Sequence, residues 1–231
     1  MRSGVEGLDR IWLLALPAVA AAAGAWIAYL RWKDRHRPEP WVLLASALLL
    51  GALAVAAASS SYDLLDRLGA LPTWEQLMGP WRTAWSGAML IGAVEEAAKM
   101  LPVLPLAFGS RHFDELWDGP VYAGAAGIGF ALAEALALVS QGELGAVETL
   151  ARAGVAPLSH ALFAAPWGLG LAYATLAGRW LAWPAGFVAA VVAHGAYDLC
   201  MARPGLQIFG ALLVGGLCIG WIAAARVWAR T

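Results

Sequence analysis

The sequence predicts an all-α fold, a polytopic transmembrane helix bundle of about seven spans. Three observations carry this. Hydrophobic residues fill 61% of the 231 positions and charged residues only 13%, with a mean hydropathy of +0.67; a soluble domain carries about a quarter charged residues. The apolar residues fall into runs long enough to cross a hydrocarbon core, which takes about 20 helical residues. Several ionisable residues sit inside those runs, where a bundle interior or a hydrated cavity has to hold them. A net charge of −1 gives no basic footprint for nucleic acid. The two cysteines, Cys200 and Cys218, lie in apolar runs and form neither a disulfide framework nor a paired metal motif. The chain reads as a single transmembrane domain over 1–231.

The spans are expected at about 9–31, 41–61, 82–108, 118–140, 155–177, 182–201 and 206–228. The first has a signal-peptide-like alanine run, Ala20 to Ala23. Its leading segment is not net positive, because Glu6 and Asp9 offset Arg2 and Arg10, and its apolar run has full spanning length, so it is read as a span. The first connection holds Arg31, Lys33, Arg35 and Arg37 and is placed in the cytoplasm. Alternation adds Arg111, Arg179, Arg226 and Arg230, giving eight basic residues inside against six outside (Arg2, Arg10, Arg67, Arg82, Arg152, Arg203). The N-terminus is then outside and the C-terminus cytoplasmic. Trp32, Trp41, Trp117, Trp180, Trp183 and Trp228 fall near inner ends, and Trp74, Trp81 and Trp85 near an outer end, as expected of indoles at the interface. Two outer segments, 62–72 and 143–152, have leucines at helical spacing opposed by charges and are expected either to lie flat on the outer leaflet or to form ordinary short connecting helices.

An ionisable side chain at bilayer depth costs roughly 2.5–3.5 kcal/mol on insertion scales. Span 3 carries Glu95, Glu96 and Lys99, span 4 Glu134, span 5 His160, and span 6 His194 and Asp198. Glu95 and Lys99 are four apart in the favourable order for an ion pair. Glu96 points about 100° away around the helix, so two adjacent carboxylates share one lysine, an arrangement suited to a general base. His194 and Asp198 share a helix face. At 1.5 Å per residue, Asp198, Glu134 and His160 lie about 5–10 Å below the outer end of their spans, His194 about 12 Å and Glu95 about 15–20 Å. The polar groups of spans 3–6 therefore converge on one intramembrane cavity that opens outward. Gly124, Gly127 and Gly129 in span 4, and Gly168 and Gly170 in span 5, allow the close helix packing this requires.

These segments resemble the PrsW family of intramembrane proteases, within the larger group of CAAX prenyl proteases and bacteriocin-processing membrane enzymes. The resemblance rests on Glu95-Glu96-x-x-Lys99, on Asp118 to Glu134 (DGPVYAGAAGIGFALAE), on His160 in SHALFAAPWG and on His194-x-x-x-Asp198. It covers about 90–200, with a family-like core at about 82–201. Ala135 stands where the family often has Asn, which bears on any polar role at that position. The resemblance implies regulated cleavage of a single-span membrane substrate, of the anti-sigma-factor kind, at an extracytoplasmic site in a bacterial cytoplasmic membrane.

Peptide hydrolysis needs an activated water, a proton donor for the leaving amine and stabilisation of an oxyanion. The spans offer no Ser/His/Asp set, so water is the expected nucleophile, with Glu95 or Glu96 as base and Lys99 tuning the pair. In a metal-free version, His160 and His194 stabilise the oxyanion and Asp198 orients them. In the favoured version, His160 and His194 bind Zn2+ with Glu134 or Asp198. Two other classes fit intramembrane charges: a proton- or metal-coupled transporter, although no internal repeat is evident, and a non-catalytic membrane scaffold.

Overall fold

A computed structural model describes residues 2–33 and 37–228, and every regular element among them is helical. The helices are α1 (Arg2–Lys33), α2 (Trp41–Arg67), α3 (Trp74–Met78), α4 (Trp81–Met100), α5 (Leu104–Gly109), α6 (Asp118–Ser140), α7 (Ala146–Ala177), α8 (Ala182–Ala202) and α9 (Gln207–Trp228). The side chains of Arg2, Glu6, Asp9, Arg10, Lys33, Arg35, Trp74, Arg226, Trp228 and Arg230, on which the signal-peptide, orientation and interface readings partly rest, lie outside the described residues.

Among the described residues, six helices are long and apolar enough to cross a membrane: α1, α2, α6, α7, α8 and α9. The expected third span is α4, whose 20 residues include Arg82, Glu95, Glu96 and Lys99 and so are less apolar than the rest. It is also shorter than the expected 82–108. Leu101–Val103 form one 3-10 turn containing Pro102, and α5 follows with Pro105 in its first turn. Proline lacks the N–H that would continue an α-helical ladder.

The two outer segments expected to lie flat or to form short connecting helices do not form separate helices. Residues 62–67 are the end of α2, which runs on to the left-handed Gly69 (φ 65°), and 146–152 are the first turns of α7. The charges that mark the end of each apolar run carry no helix-stop chemistry, and the breaks come at glycine, where a positive φ is tolerated.

α6 and α7 form the buried centre of the bundle, while α1 and α9 leave most of their surface outward. Close backbone approach fixes the central helices. A Cβ at Gly127 of α6 would stand 2.6 Å from the carbonyl oxygen of His160 on α7, and one at Gly195 of α8 would stand 2.6 Å from the Ala88 carbonyl oxygen on α4. Both contacts lie beside candidate site residues, so the small-residue packing sets how near α7 comes to α6 and α8 to α4. α2 packs on α6 with Gly51 against the Ala126 carbonyl. At the other end of α6, the Tyr122 hydroxyl donates to buried Glu39, and Asp118 accepts from the Asp114 and Glu115 amides at 2.8 and 2.6 Å.

Candidate active site

The expected residues of α4, α6, α7 and α8 meet in one cluster. Glu95 and Glu96 are adjacent on α4 and face different neighbours. Glu96 is fully buried and both of its oxygens are bonded: Oε1 to Lys99 Nζ at 2.9 Å and to His194 Nδ1 at 2.7 Å, Oε2 to the indole N–H of Trp167 at 2.9 Å. A carboxylate at Nδ1 assigns the proton to that nitrogen and leaves the Nε2 lone pair free. Lys99 is also fully buried. Its ammonium lies 3.3 Å from Glu95 Oε2 and 4.3 Å from the centre of the Phe130 ring. A lysine at this depth is tolerated because two carboxylates and an aromatic face surround it.

Glu95 completes the other side. Its Oε2 lies 3.5 Å from His194 Nε2, and its Oε1 accepts from the Tyr62 hydroxyl at 3.0 Å. The rings of His160 and His194 are 5.2 Å apart and nearly perpendicular, and Phe163 stacks on His194 at 5.0 Å. One ligand atom from each of Glu95, His160 and His194 lies within 4.8 Å of the others. The carboxylate that joins the two imidazoles is thus Glu95. Glu134 and Asp198 each stand beside one histidine, Glu134 Oε2 at 3.6 Å from His160 Nε2 and Asp198 Oδ2 at 3.6 Å from His194 Nε2.

Exposure rises through the cluster. The Glu96 and Lys99 side chains are 0% exposed, Glu95 10%, Glu134 24% and Asp198 30%. The accessible side of the cluster is therefore that of Glu134 and Asp198. Arg152, counted above among outer-loop charges, sits at that side with Nη2 2.9 Å from Glu134 Oε2.

The residues fit a metal. Two imidazole nitrogens and a carboxylate oxygen, with a coordination position left over, make the donor set of catalytic zinc sites. His194 has the carboxylate behind it that such ligands carry. His160 Nδ1 is buried and has no hydrogen-bond partner among the described residues, an orphaned donor or acceptor of the kind that points to a missing ligand or a functional role.

The comparisons agree with this chemistry. The family model described as "PrsW family intramembrane metalloprotease" matches residues 39–225, most of the chain. The chain belongs to the PrsW family of intramembrane metalloproteases. It is 30% identical over 222 residues to Protease PrsW of Geobacillus kaustophilus, covering 93% of this chain and 92% of that protein. It is 27% identical over 142 residues to Protease PrsW of Clostridioides difficile, covering 61% of this chain and 57% of that one. No solved structure matches it. The protein is accordingly an integral membrane protease, and the transporter and scaffold readings give way. The PrsW match begins at residue 39 and so takes in α2 and most of α9, beyond the 90–200 on which the resemblance rested.

Three residues of this cluster were not singled out by the sequence. Trp167 carries no charge to mark it inside an apolar run, Tyr62 falls in the outer segment 62–72, and Arg152 reads as an ordinary loop cation. Trp167 had one available signal. It lies seven residues after His160, two helical turns on and on the same face.

Proposed function

We propose that the protein hydrolyses a peptide bond in a single-span membrane protein of the anti-sigma-factor type, near the extracytoplasmic side of a bacterial cytoplasmic membrane. Glu95, His160 and His194 hold Zn2+ in this reading. The observation that carries it is the approach of their ligand atoms to within 4.8 Å of one another, with Glu96 2.7 Å behind the Nδ1 of His194. Zinc bound there supplies a Lewis acid that acidifies water and polarises the scissile carbonyl. Glu96, held by Lys99 and Trp167, keeps His194 in one tautomer and orientation. Glu134 and Asp198, on the exposed side and each beside one imidazole, move the protons: one takes the proton of the attacking water, and one passes a proton to the leaving amine. Phe130 and Phe163 close the apolar side of the cluster and strengthen its electrostatics by excluding water.

The basic first connection, with Arg31 and Arg37 among its charges, supports a cytoplasmic first loop and an N-terminus outside. The exposed side of the cluster then faces out of the cell, since Tyr62, Glu134, Arg152 and Asp198 all belong to the outer ends of their helices. The test is purified protein with a candidate single-span substrate. Rigorous chelation is expected to abolish cleavage and zinc to restore it. Activity that survives metal removal overturns the metal assignment and leaves Glu95 as the base.

A further inference from the structure

We propose that Tyr62 is a positioning residue: its hydroxyl pins Glu95 Oε1 so that Oε2 alone faces the two imidazoles. This rests on the reading in which Glu95 belongs to the reacting site. The two oxygens of Glu95 have separate surroundings. Oε2 lies 3.3 Å from Lys99 Nζ and 3.5 Å from His194 Nε2, whereas Oε1 is bonded by Tyr62 at 3.0 Å, with no second partner for Oε1 among the described residues. The last torsion of a glutamate is broad and roughly two-fold. A carboxylate released at Oε1 is free to turn, exchange its oxygens or present both at once. A phenol donating to one oxygen removes that freedom, as outer-shell partners do for ligating carboxylates.

The placement of Tyr62 is itself fixed. It lies eleven residues after Gly51, three turns along α2 on nearly the same face, and Gly51 is the point at which α2 meets the Ala126 carbonyl of α6. Between them, Ala54 and Ala58 are buried against Phe130, and Tyr62 joins that group together with Val94 and Ala98 of α4. The neighbouring hydroxyls of Ser60 and Ser61 turn back onto their own helix, to the carbonyls of Ala56 and Ala57 at 2.8 Å. Tyr62 instead spans from α2 to α4. An element without an intramembrane charge thereby becomes part of the site, and the orientation of Glu95 depends on how α2 sits against α6.

The experiment uses the full-length protein in detergent and the variant Tyr62→Phe, which removes only the oxygen. Zinc affinity is read by competition with a chromophoric chelator, and kcat and KM are read on a single-span substrate. Zinc is expected to bind about 10–100-fold more weakly, with kcat lower by a similar factor and KM unchanged. In a cycle with Glu95→Gln, the tyrosine change is expected to add no further loss of zinc affinity, since it acts through Glu95. Ser61→Ala, one residue away, should leave both readings at wild-type levels. Zinc affinity and kcat within twofold of wild type in Tyr62→Phe overturn the proposal, as does a loss that multiplies in full with that of Glu95→Gln. Should the wild type hold no zinc, the metal reading falls, and kcat then decides: a loss at constant KM carries the positioning role, and an unchanged kcat overturns it.

Discussion

The two sides of the site differ in how completely they are bonded. On the α4–α8 side, Glu96, Lys99 and His194, with Trp167 reaching across from α7, are buried and joined by contacts of 2.7 to 2.9 Å around Glu96. On the α6–α7 side, Glu134 and His160 approach only to 3.6 Å, and Arg152 Nε and His160 Nδ1 are buried without partners among the described residues. The first arrangement is that of a scaffold, since a buried polar network is stable only when each member is satisfied. The second leaves buried polar atoms with bonding capacity to spare. The chemistry proposed above uses this difference: orientation comes from the bonded groups around Glu96, and Glu134 of α6 and Asp198 of α8 stand at the more exposed edge.

The contrast can be broken most forcefully at His160. On the open side, His160→Ala removes a proposed zinc ligand and should cut cleavage by more than the roughly 10–100-fold that loss of an outer-shell partner costs, while leaving thermal unfolding in detergent little changed. A large drop in unfolding temperature would instead make His160 a structural member. Next in size is Lys99→Met on the closed side. Removing one partner of a buried ion pair strands the other charge and is expected to cost about 3–5 kcal/mol of stability, read by denaturation in detergent. An unaltered midpoint would mean that Glu96 takes up a proton and tolerates the loss. The smallest effect is expected at Arg152→Gln. Its side chain is 37% exposed, so the pair with Glu134 is worth only about 0–1 kcal/mol after solvent screening. A stability loss as large as that of Lys99→Met would erase the distinction between the two sides.

The sequence made the charged part of this site legible because the membrane removes the ordinary explanation for charge. Glu95, Glu96, Lys99, His160 and His194 stand out in apolar runs, and helical rise puts them at similar depth. Uncharged partners gave no such signal. Tyr62 near a helix end reads as an interfacial aromatic, and Trp167 in an apolar run reads as packing. Both donate to a carboxylate, which only the packing of α2 and α7 against α4 reveals. Span boundaries were legible only as far as hydropathy follows helicity. At residues 62–67 and 146–152 the composition turns polar while the helix continues, so two helix ends beside the site read as separate segments between spans. At Pro102 the reverse held, since the apolar run continues past a residue at which the α-helix ends.

The charge content of α4 has a consequence for biogenesis. With Arg82, Glu95, Glu96 and Lys99 along 20 residues, this segment is poorly suited to leave the translocon for lipid by itself, each charge near the middle costing about 2.5–3.5 kcal/mol on the insertion scale. The groups that bond Glu96 from outside α4 are Trp167 and His194, which belong to α7 and α8 and are synthesised about 70 to 100 residues later. Lys99 offsets the carboxylates from within α4, but the remaining hydrogen bonds to Glu96 wait for the second half of the chain, which ties completion of the site to the later stages of membrane insertion.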